Sequence, residues 1–281
     1  MKNKALVLII TAMVLLLPGL TAGAQEGSEG RLFDSKKDLL LAQFDCKTDV
    51  DDLHTVAGFF TILKNPRFSA INYYAVAGTY GIQEGLYVPA NELFKAAFGK
   101  NWSDAHSDPE KALKEVYSIV AKTLKKDGDV WIAEAGQSDF TSALIRKIQA
   151  EMPTLNTSLR IHVVQHSNWN EEVTSPDKLA FVKSNSDYHK IPDGNTKGNG
   201  SPGFRNPDLR DWDSRIKDDA AKEIWRMAVD IANRYNGKEG RYNNEAVAAG
   251  GLDFSDLSET CHILGTGDIE DGGEFFERMG N

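Results

Sequence analysis

Residues 39–52 read LLLAQFDCKTDVDD, an apolar run followed directly by a cluster of acids. The run over residues 39–44 carries no charge and is typical of a buried strand. The octet that follows, residues 45–52, holds four carboxylates. Carboxylates a few ångströms apart repel one another, so one of them takes up a proton or the group binds a hard cation through its oxygens. The octet therefore predicts a metal site at the carboxyl end of a strand.

Apolar periodicity after the octet alternates between helix and strand. Residues 52–64 have helical spacing, and residues 71–77 are β-branched and aromatic, which favours a strand. A strand, a helix and a second strand in this order indicate a parallel crossover. Further strands are predicted at residues 130–135 and 160–165, and further helices at residues 109–125, 138–151, 218–235 and 256–263. We therefore expect an α/β fold, with a mostly parallel central sheet, helices on both faces and a Rossmann-like core.

Residues 184–213 interrupt this alternation. The segment is rich in Gly, Asn, Pro and Asp, and includes PDGN at residues 192–195 and GNGSPG at residues 198–203. A loop of that length inside a compact domain is uncommon and is often a lid or a binding loop. A substrate-covering role and a plain surface excursion both remain open from the sequence.

The N-terminus has the pattern of a secretory signal. Lys2 and Lys4 precede an apolar stretch over residues 5–17, and residues 22–24 read AGA, a small-residue cleavage site. We expect residues 1–24 to be a signal peptide and residues 25–281 to form a single domain. The apolar stretch is shorter than the roughly 20 residues that span a bilayer, so no stable membrane anchoring is expected. The predicted location is secreted, or periplasmic in a Gram-negative source.

Charge and cysteine content exclude other classes of protein. The formal net charge of −9 argues against nucleic-acid binding, which draws on clustered Lys and Arg. Cys46 and Cys261 are the only cysteines, too few for a disulfide framework. We expect them to pack as small apolar residues, with a single bridge as the alternative that export permits.

A second acidic segment offers the remaining metal ligands. Residues 253–256 read DFSD and lead into a predicted helix, as the octet does. Ca²⁺ takes six to eight oxygens, so Asp45, Asp52 and Asp256 with one or two carbonyls would suffice. The alternative is that acids of the octet only cap the helix start. Lys47 and Val50 exclude an EF-hand loop, because they occupy positions that need a ligand and a glycine.

In the octet, the first Asp is followed after three residues by a second Asp, and after one further residue by an Asp-Asp pair. This spacing resembles the motif of the inosine-uridine nucleoside hydrolase superfamily, in its divergent nucleoside hydrolase-like branch. Three further stretches are similar to the family in the same order: AVAG at residues 75–78, AEAGQSD at residues 133–139 and FSD at residues 254–256. The resemblance spans most of the mature chain, although only the octet is a specific motif. It implies one nucleoside hydrolase-like domain and one bound Ca²⁺.

The resemblance also implies residue roles. The calcium ligands would be Asp45, Asp52, Asp256 and the carbonyl of Ala135. Asp45 would act as general base toward a water on the ion, and Asp51 would hold sugar hydroxyls. The implied activity is hydrolysis of an N-glycosidic, ribonucleoside-type bond in a small-molecule substrate. Members of the family often form dimers or tetramers, so a homo-oligomer is also an expectation.

Further substrate contacts are expected from two places. Thr79 stands where the family usually has an Asn that touches the sugar, and Ser255 stands where many members have a His that assists the departing base. The second place follows the strand at residues 160–165, where Asn168, Asn170 and Glu171 can hold ribose hydroxyls. His166 and Trp169 fit either a ligand contact or ordinary packing.

Two other functions stay open beside the hydrolase. The chain could be a non-catalytic carbohydrate- or nucleoside-binding protein that keeps the fold and the metal, because Ser and Thr cannot protonate a leaving base. It could also be a structural or interaction protein in which the acids only order loops. The fold alone does not choose among the three.

Overall fold

The computed structural model describes residues 31–280. From Leu32 onward the described chain forms one compact unit. The signal-peptide expectation for residues 1–24 lies outside the described residues and stays a prediction. Within the described range, no helix has both the length and the apolar character needed to cross a membrane.

The central sheet has six strands, all parallel, which confirms the predicted fold class. The strands are β1 (Leu39–Phe44), β2 (Asn72–Ala77), β3 (Trp102–Asp104), β4 (Val130–Ala135), β5 (Ile161–Gln165) and β6 (Asp187–Lys190), in the order β3-β2-β1-β4-β5-β6. Strand β1 lies inside the sheet, where Phe44 is in register with Ala77 on one side and Ala135 on the other. The octet therefore leaves the sheet between two neighbouring strand ends.

Helices and a small second sheet complete the fold. The helices are α1 (Asp51–Lys64), α2 (Asn91–Phe98), α3 (Pro109–Leu124), α4 (Asp139–Glu151), α5 (Thr157–Arg160), α6 (Asn168–Glu172), α7 (Pro176–Asn185), α8 (Trp212–Arg215), α9 (Asp219–Tyr235), α10 (Glu245–Ala248), α11 (Ser258–Ile263) and α12 (Gly272–Met279). Strands β7 (Arg205–Asn206) and β8 (Leu252–Asp253) pair antiparallel, and a 3₁₀ turn covers Ser255–Leu257.

Two hydrophobic cores lie on opposite faces of the sheet, so helices cover both faces as predicted. Leu39 and Leu41 pack in one core with residues of α3 and α4, whereas Leu40 and Ala42 pack in the other with residues of α1 and α9. This division follows from the alternation of side chains along a strand. Because both faces of β1 are buried, its sequence carries no charge and is apolar except at Gln43.

The expectation of a continuous loop over residues 184–213 is wrong in part. Residues 187–190 form β6, the edge strand beside β5, residues 205–206 form β7, and α8 begins at Trp212. Strand β6 reads DYHK and is only partly buried, so it has no apolar pattern by which the sequence could reveal it. Helices α2 and α12 also have no counterpart among the sequence predictions.

Cys46 and Cys261 are both buried free thiols. This confirms the expectation that they pack as small apolar side chains. The bridge that export would permit does not form between them.

Candidate metal and substrate site

The octet makes a sharp turn at the end of β1. Asp45 continues the sheet ladder, since its N–H donates to the carbonyl of Ala135 over 3.2 Å. The next residues leave the sheet through left-handed backbone, with φ of 49° at Cys46 and 72° at Thr48. Such conformations are strained for residues with a side chain and are often found at functional sites. The turn brings the N–H of Cys46 onto the Asp52 carboxylate, to which it donates.

Helix capping does not account for the acids. Val50 is the N-cap of α1 and makes no side-chain cap, while Asp51 and Asp52 occupy the first turn. Both acids benefit from the helix dipole there, but Asp52 turns back to the Cys46 N–H. Among the described residues, carboxylate oxygens of Asp51, Asp52 and Asp256 lie within 4.8 Å of one another. The octet and the second acidic segment therefore meet.

Asp45 adjoins this trio and is held in place by neutral donors. Its Oδ1 accepts from the N–H of Lys47 over 2.7 Å, and its Oδ2 accepts from the Nε2 of Gln137 over 3.0 Å. Its carboxyl group lies near that of Asp52, and each influences the pKa of the other. Gln137 comes from the loop after β4, so two adjacent strand ends fix the position of Asp45.

Burial, together with the crowding of like charges, raises the pKa of each acid in the octet. Burial, with a smaller contribution from the charge of Asp256, raises the pKa of Asp45 to about 7. Burial also holds the pKa of Asp51 and Asp52 well above the usual range, with neighbouring carboxylates adding to the effect. Ionising the whole cluster without a counter-charge is therefore costly, and a divalent cation would remove that cost.

The oxygen atoms of the cluster fit such a cation. Within residues 31–280, no hydrogen-bond donor reaches Oδ1 of Asp52, which is buried and so is available as a ligand atom. Ala135 keeps a second lone pair on its carbonyl, which already accepts from Asp45. A set made only of carboxylate and carbonyl oxygens is the kind that Ca²⁺ and Mg²⁺ take. The grouping adds Asp51 to the ligands that the sequence had suggested.

A cavity of about 530 Å³ lies against the acids. Of the residues predicted to form the site, Asp45, Asp51, Asn170 and Asp256 line it, and Asp52 lies beneath the lining. Trp169 also lines the cavity and is 44% exposed, which leaves a ring face open to a ligand. The volume of the cavity is within the range of sites that bind small molecules in proteins.

Three predicted substrate contacts lie outside the cavity lining. Thr79 is buried, and its carbonyl accepts from the N–H of Gln137. Asn168 accepts from Nζ of Lys190, and Glu171 pairs with Lys183 and Lys190 at 2.7 and 2.8 Å. Although burial alone raises the pKa of Glu171, these lysines lower it to about 2. Asn168 and Glu171 are engaged in this way because Lys190 lies on β6, a strand that the sequence did not predict.

His166 connects the acids to the segment over residues 192–195. Its Nε2 lies 2.9 Å from Oδ1 of Asp256, and its Nδ1 accepts from the N–H of Gly194 over 2.8 Å. Burial alone would lower the pKa of His166, but Glu259, Asp193 and Asp256 outweigh it and raise that pKa well above its usual value. The Gly194 contact requires a lone pair on Nδ1, so in the geometry of the structure the ring is neutral with its proton on Nε2, facing Asp256. The surrounding carboxylates nevertheless favour protonation of Nδ1, which would break the contact with Gly194.

Sequence reasoning assigned no individual role to several of the lining residues. They are Lys47, Asp193, Asn195, Arg205 and Tyr242. Lys47 lies inside the octet and could have been noticed there. Arg205 lies 3.5 Å from Asp253, and its position depends on the pairing of β7 with β8, which no local pattern reveals. Residues from 193 to 205 thus contribute to the cavity wall, which favours a binding role for this segment over a plain surface excursion.

No protein-family model, curated protein or solved structure matches this chain.

Proposed function

We propose that the chain is an exported, calcium-dependent hydrolase of N-glycosidic bonds of the ribonucleoside type, that is, a glycosidase of the nucleosidase class. The observation that carries this proposal is the meeting of Asp45, Asp51, Asp52 and Asp256 against a cavity of about 530 Å³. A molecule of the size of a nucleoside fits a cavity of this volume. Its hydrolysis would need an oxygen-ligated cation and carboxylates beside the bound molecule.

Asp51, Asp52, Asp256 and the carbonyl of Ala135 would hold the ion, with Asp45 at its edge. A bound Ca²⁺ would supply Lewis acidity that orients and acidifies a water molecule. The unsatisfied Oδ1 of Asp52 supports this assignment, because a buried carboxylate oxygen without a partner is costly unless it has a ligand.

Asp45 is the candidate general base. Its carboxylate lines the cavity and is oriented by Gln137 and by the N–H of Lys47, which leaves lone pairs to accept a proton from water. The water oxygen would attack the anomeric carbon of the sugar and lose a proton to Asp45, while the bond to the base breaks and the base leaves with its electron pair and takes a proton from solvent water. The transition state carries positive charge on the sugar, and the carboxylates of Asp45 and Asp51 would stabilise it electrostatically.

Substrate orientation falls to groups on the cavity wall. Asp51 and Asn170 offer acceptors and donors for sugar hydroxyls, and Trp169 offers a ring face on which a base can stack. The substrate class is therefore a nucleoside or a related glycoside.

The second candidate is a non-catalytic protein that binds the same ligands. Ser255 lines the cavity, but its hydroxyl donates to Oδ1 of Asp253 over 2.9 Å. A serine engaged in this way cannot protonate a leaving base, and this observation favours binding without turnover.

A panel of purine and pyrimidine ribonucleosides separates the two candidates. Release of free base and ribose with Ca²⁺, abolished by a chelator and restored by added Ca²⁺, supports the hydrolase. Thermal stabilisation by a nucleoside without release of base supports the binding protein. Absence of both responses would contradict the proposal.

A further inference from the structure

We infer that the chain has a second metal site, for Zn²⁺, formed by His162, Asp187 and His189. Oδ2 of Asp187 lies 2.8 Å from Nδ1 of His162 and 2.8 Å from Nε2 of His189. Ligand atoms of the three residues all lie within 4.8 Å of one another. Two imidazoles and one carboxylate are a donor set that Zn²⁺ binds in proteins.

The sheet itself places the three ligands. His162 on β5 is in register with Asp187 on β6, and His189 is in register with Val164. Residues two apart on a strand point to the same face, so Asp187 and His189 lie on one side of the edge strand. The parallel pairing thus fixes all three positions on rigid elements rather than on a loop, as a selective metal site requires.

His162 is held for coordination by its other contacts. The ring stacks on Trp131 with 4.1 Å between centroids, and its Nε2 lies 3.4 Å from Oδ2 of Asp129. Asp129 in turn forms an ion pair with Arg160. A histidine that binds a metal commonly donates its other N–H to a carboxylate, which fixes the ring and makes the ligating nitrogen more basic. Here that nitrogen is Nδ1, which faces Asp187.

Burial and spacing also suit an ion. His162 is buried, whereas the side chains of Asp187 and His189 are 38% and 42% exposed, so the site is open to solvent for entry of the ion and for a water as fourth ligand. Two ligands at about 2.0–2.1 Å from a tetrahedral ion lie about 3.3 Å apart. The observed 2.8 Å separations therefore need to widen only slightly.

The site is separate from the acidic cavity. His162 precedes His166 by four residues, about 13 Å along an extended chain. A bound Zn²⁺ would have a structural effect, because it would link the edge strand β6 to β5. Strand β6 leads directly into the segment that carries Asp193 and Gly194 at the cavity wall. The inference does not depend on the proposed hydrolase.

The test is metal binding by the tag-free chain with excess Ca²⁺ present, which keeps Zn²⁺ from the acidic cluster. We expect one equivalent of Zn²⁺ in calorimetry, a rise in Tm, and with Co²⁺ the intense visible absorption of a four-coordinate ion. His189→Gln and His162→Gln should each weaken Zn²⁺ binding by at least about 100-fold, since each removes a ligand. His189 is partly exposed, so its variant should fold even where the His162 variant does not.

His106→Gln is the matched control, because it removes an exposed imidazole at a distance from the three ligands. It should bind Zn²⁺ as the wild type does. The inference is overturned if the wild-type chain shows no saturable Zn²⁺ binding, or if His189→Gln binds as tightly as the wild type does.

Discussion

The imidazole Nε2 of His166 lies 2.9 Å from Oδ1 of Asp256, and the other ring nitrogen accepts from the N–H of Gly194. One side chain thus links a carboxylate of the acidic cluster to the wall of the cavity. If Asp256 is a calcium ligand, His166 is a positioning residue that orients it, in the way that hydrogen-bonded partners commonly orient metal ligands.

His166→Gln should therefore weaken calcium binding. Loss of an orienting partner typically costs about 10- to 100-fold in metal affinity, and we expect a change of that size in a Ca²⁺ titration. His106→Gln should leave the affinity unchanged. Equal calcium affinity in the wild type and in His166→Gln would show that Asp256 does not need this contact.

Asp52→Asn should stabilise the protein when no calcium is present. Burial and the neighbouring carboxylates hold the pKa of Asp52 well above its usual range, so its charge is costly at neutral pH. The amide removes that charge and still accepts from the Cys46 N–H. We expect Tm in a chelator to rise by about 2–4 °C per kcal/mol gained, and the further rise on adding Ca²⁺ to disappear.

Asp230→Asn provides the matched control, since it removes one exposed acid on α9. It should change neither Tm nor the calcium response. A large calcium-induced rise in Tm that persists in Asp52→Asn would place the ion elsewhere.

Glu134 should make stability fall as the pH rises. Burial raises its pKa from 4.5 to about 7, despite a hydrogen bond from the Ser138 hydroxyl. Between these two values the folded state keeps a proton that the unfolded state has lost, so the free energy of unfolding decreases with rising pH. Below about 4.5 the effect is absent, and above about 7 it is complete.

Urea unfolding at pH 5 and pH 8, with Ca²⁺ present throughout, measures this effect. Glu134→Gln should reduce the difference between the two pH values by an amount on the order of 2 kcal/mol. A variant with the same pH dependence as the wild type would rule Glu134 out as its source.

Trp169→Ala should weaken ligand binding. The indole lines the cavity and is 44% exposed, so it is free to stack on a base or a sugar. Removing a stacking ring and its contact area should raise KM or Kd about 10-fold with little change in Tm. Trp169→Phe keeps a ring face and should recover most of the affinity, a recovery that a purely structural role would not produce.

Sequence reasoning predicts the four inner strands of the sheet and misses both edge strands. Strands β1, β2, β4 and β5 lie inside, and each is recognisable by an apolar or β-branched run because its residues pack on both faces. The edge strands read WSD and DYHK, and their partly exposed residues have no such pattern. What identifies an edge strand is pairing with its neighbour, which a single sequence does not reveal.

The same division applies to the candidate site. The octet could be placed because the carboxyl ends of parallel strands lie at one edge of the sheet. That it meets Asp256 could only be suggested, because Asp256 follows β8 of the small second sheet. The contacts made by Gly194 and Arg205 could not, since they depend on the path of residues 184–213 after β6. The pairing of Glu171 with Lys183 and Lys190 could not be predicted either, because it depends on the packing of α7 and β6.

The central claim is that Asp45 activates water for glycosidic hydrolysis beside a bound calcium ion. Its most direct test is the release of free base from a ribonucleoside by the wild type and by Asp45→Asn, both saturated with Ca²⁺, with Asp230→Asn as control. The account predicts that kcat falls by at least about 10²-fold in Asp45→Asn, as expected for loss of a general base, while nucleoside-induced stabilisation remains. Equal turnover in the wild type and Asp45→Asn, or turnover that persists in a chelator, would contradict it.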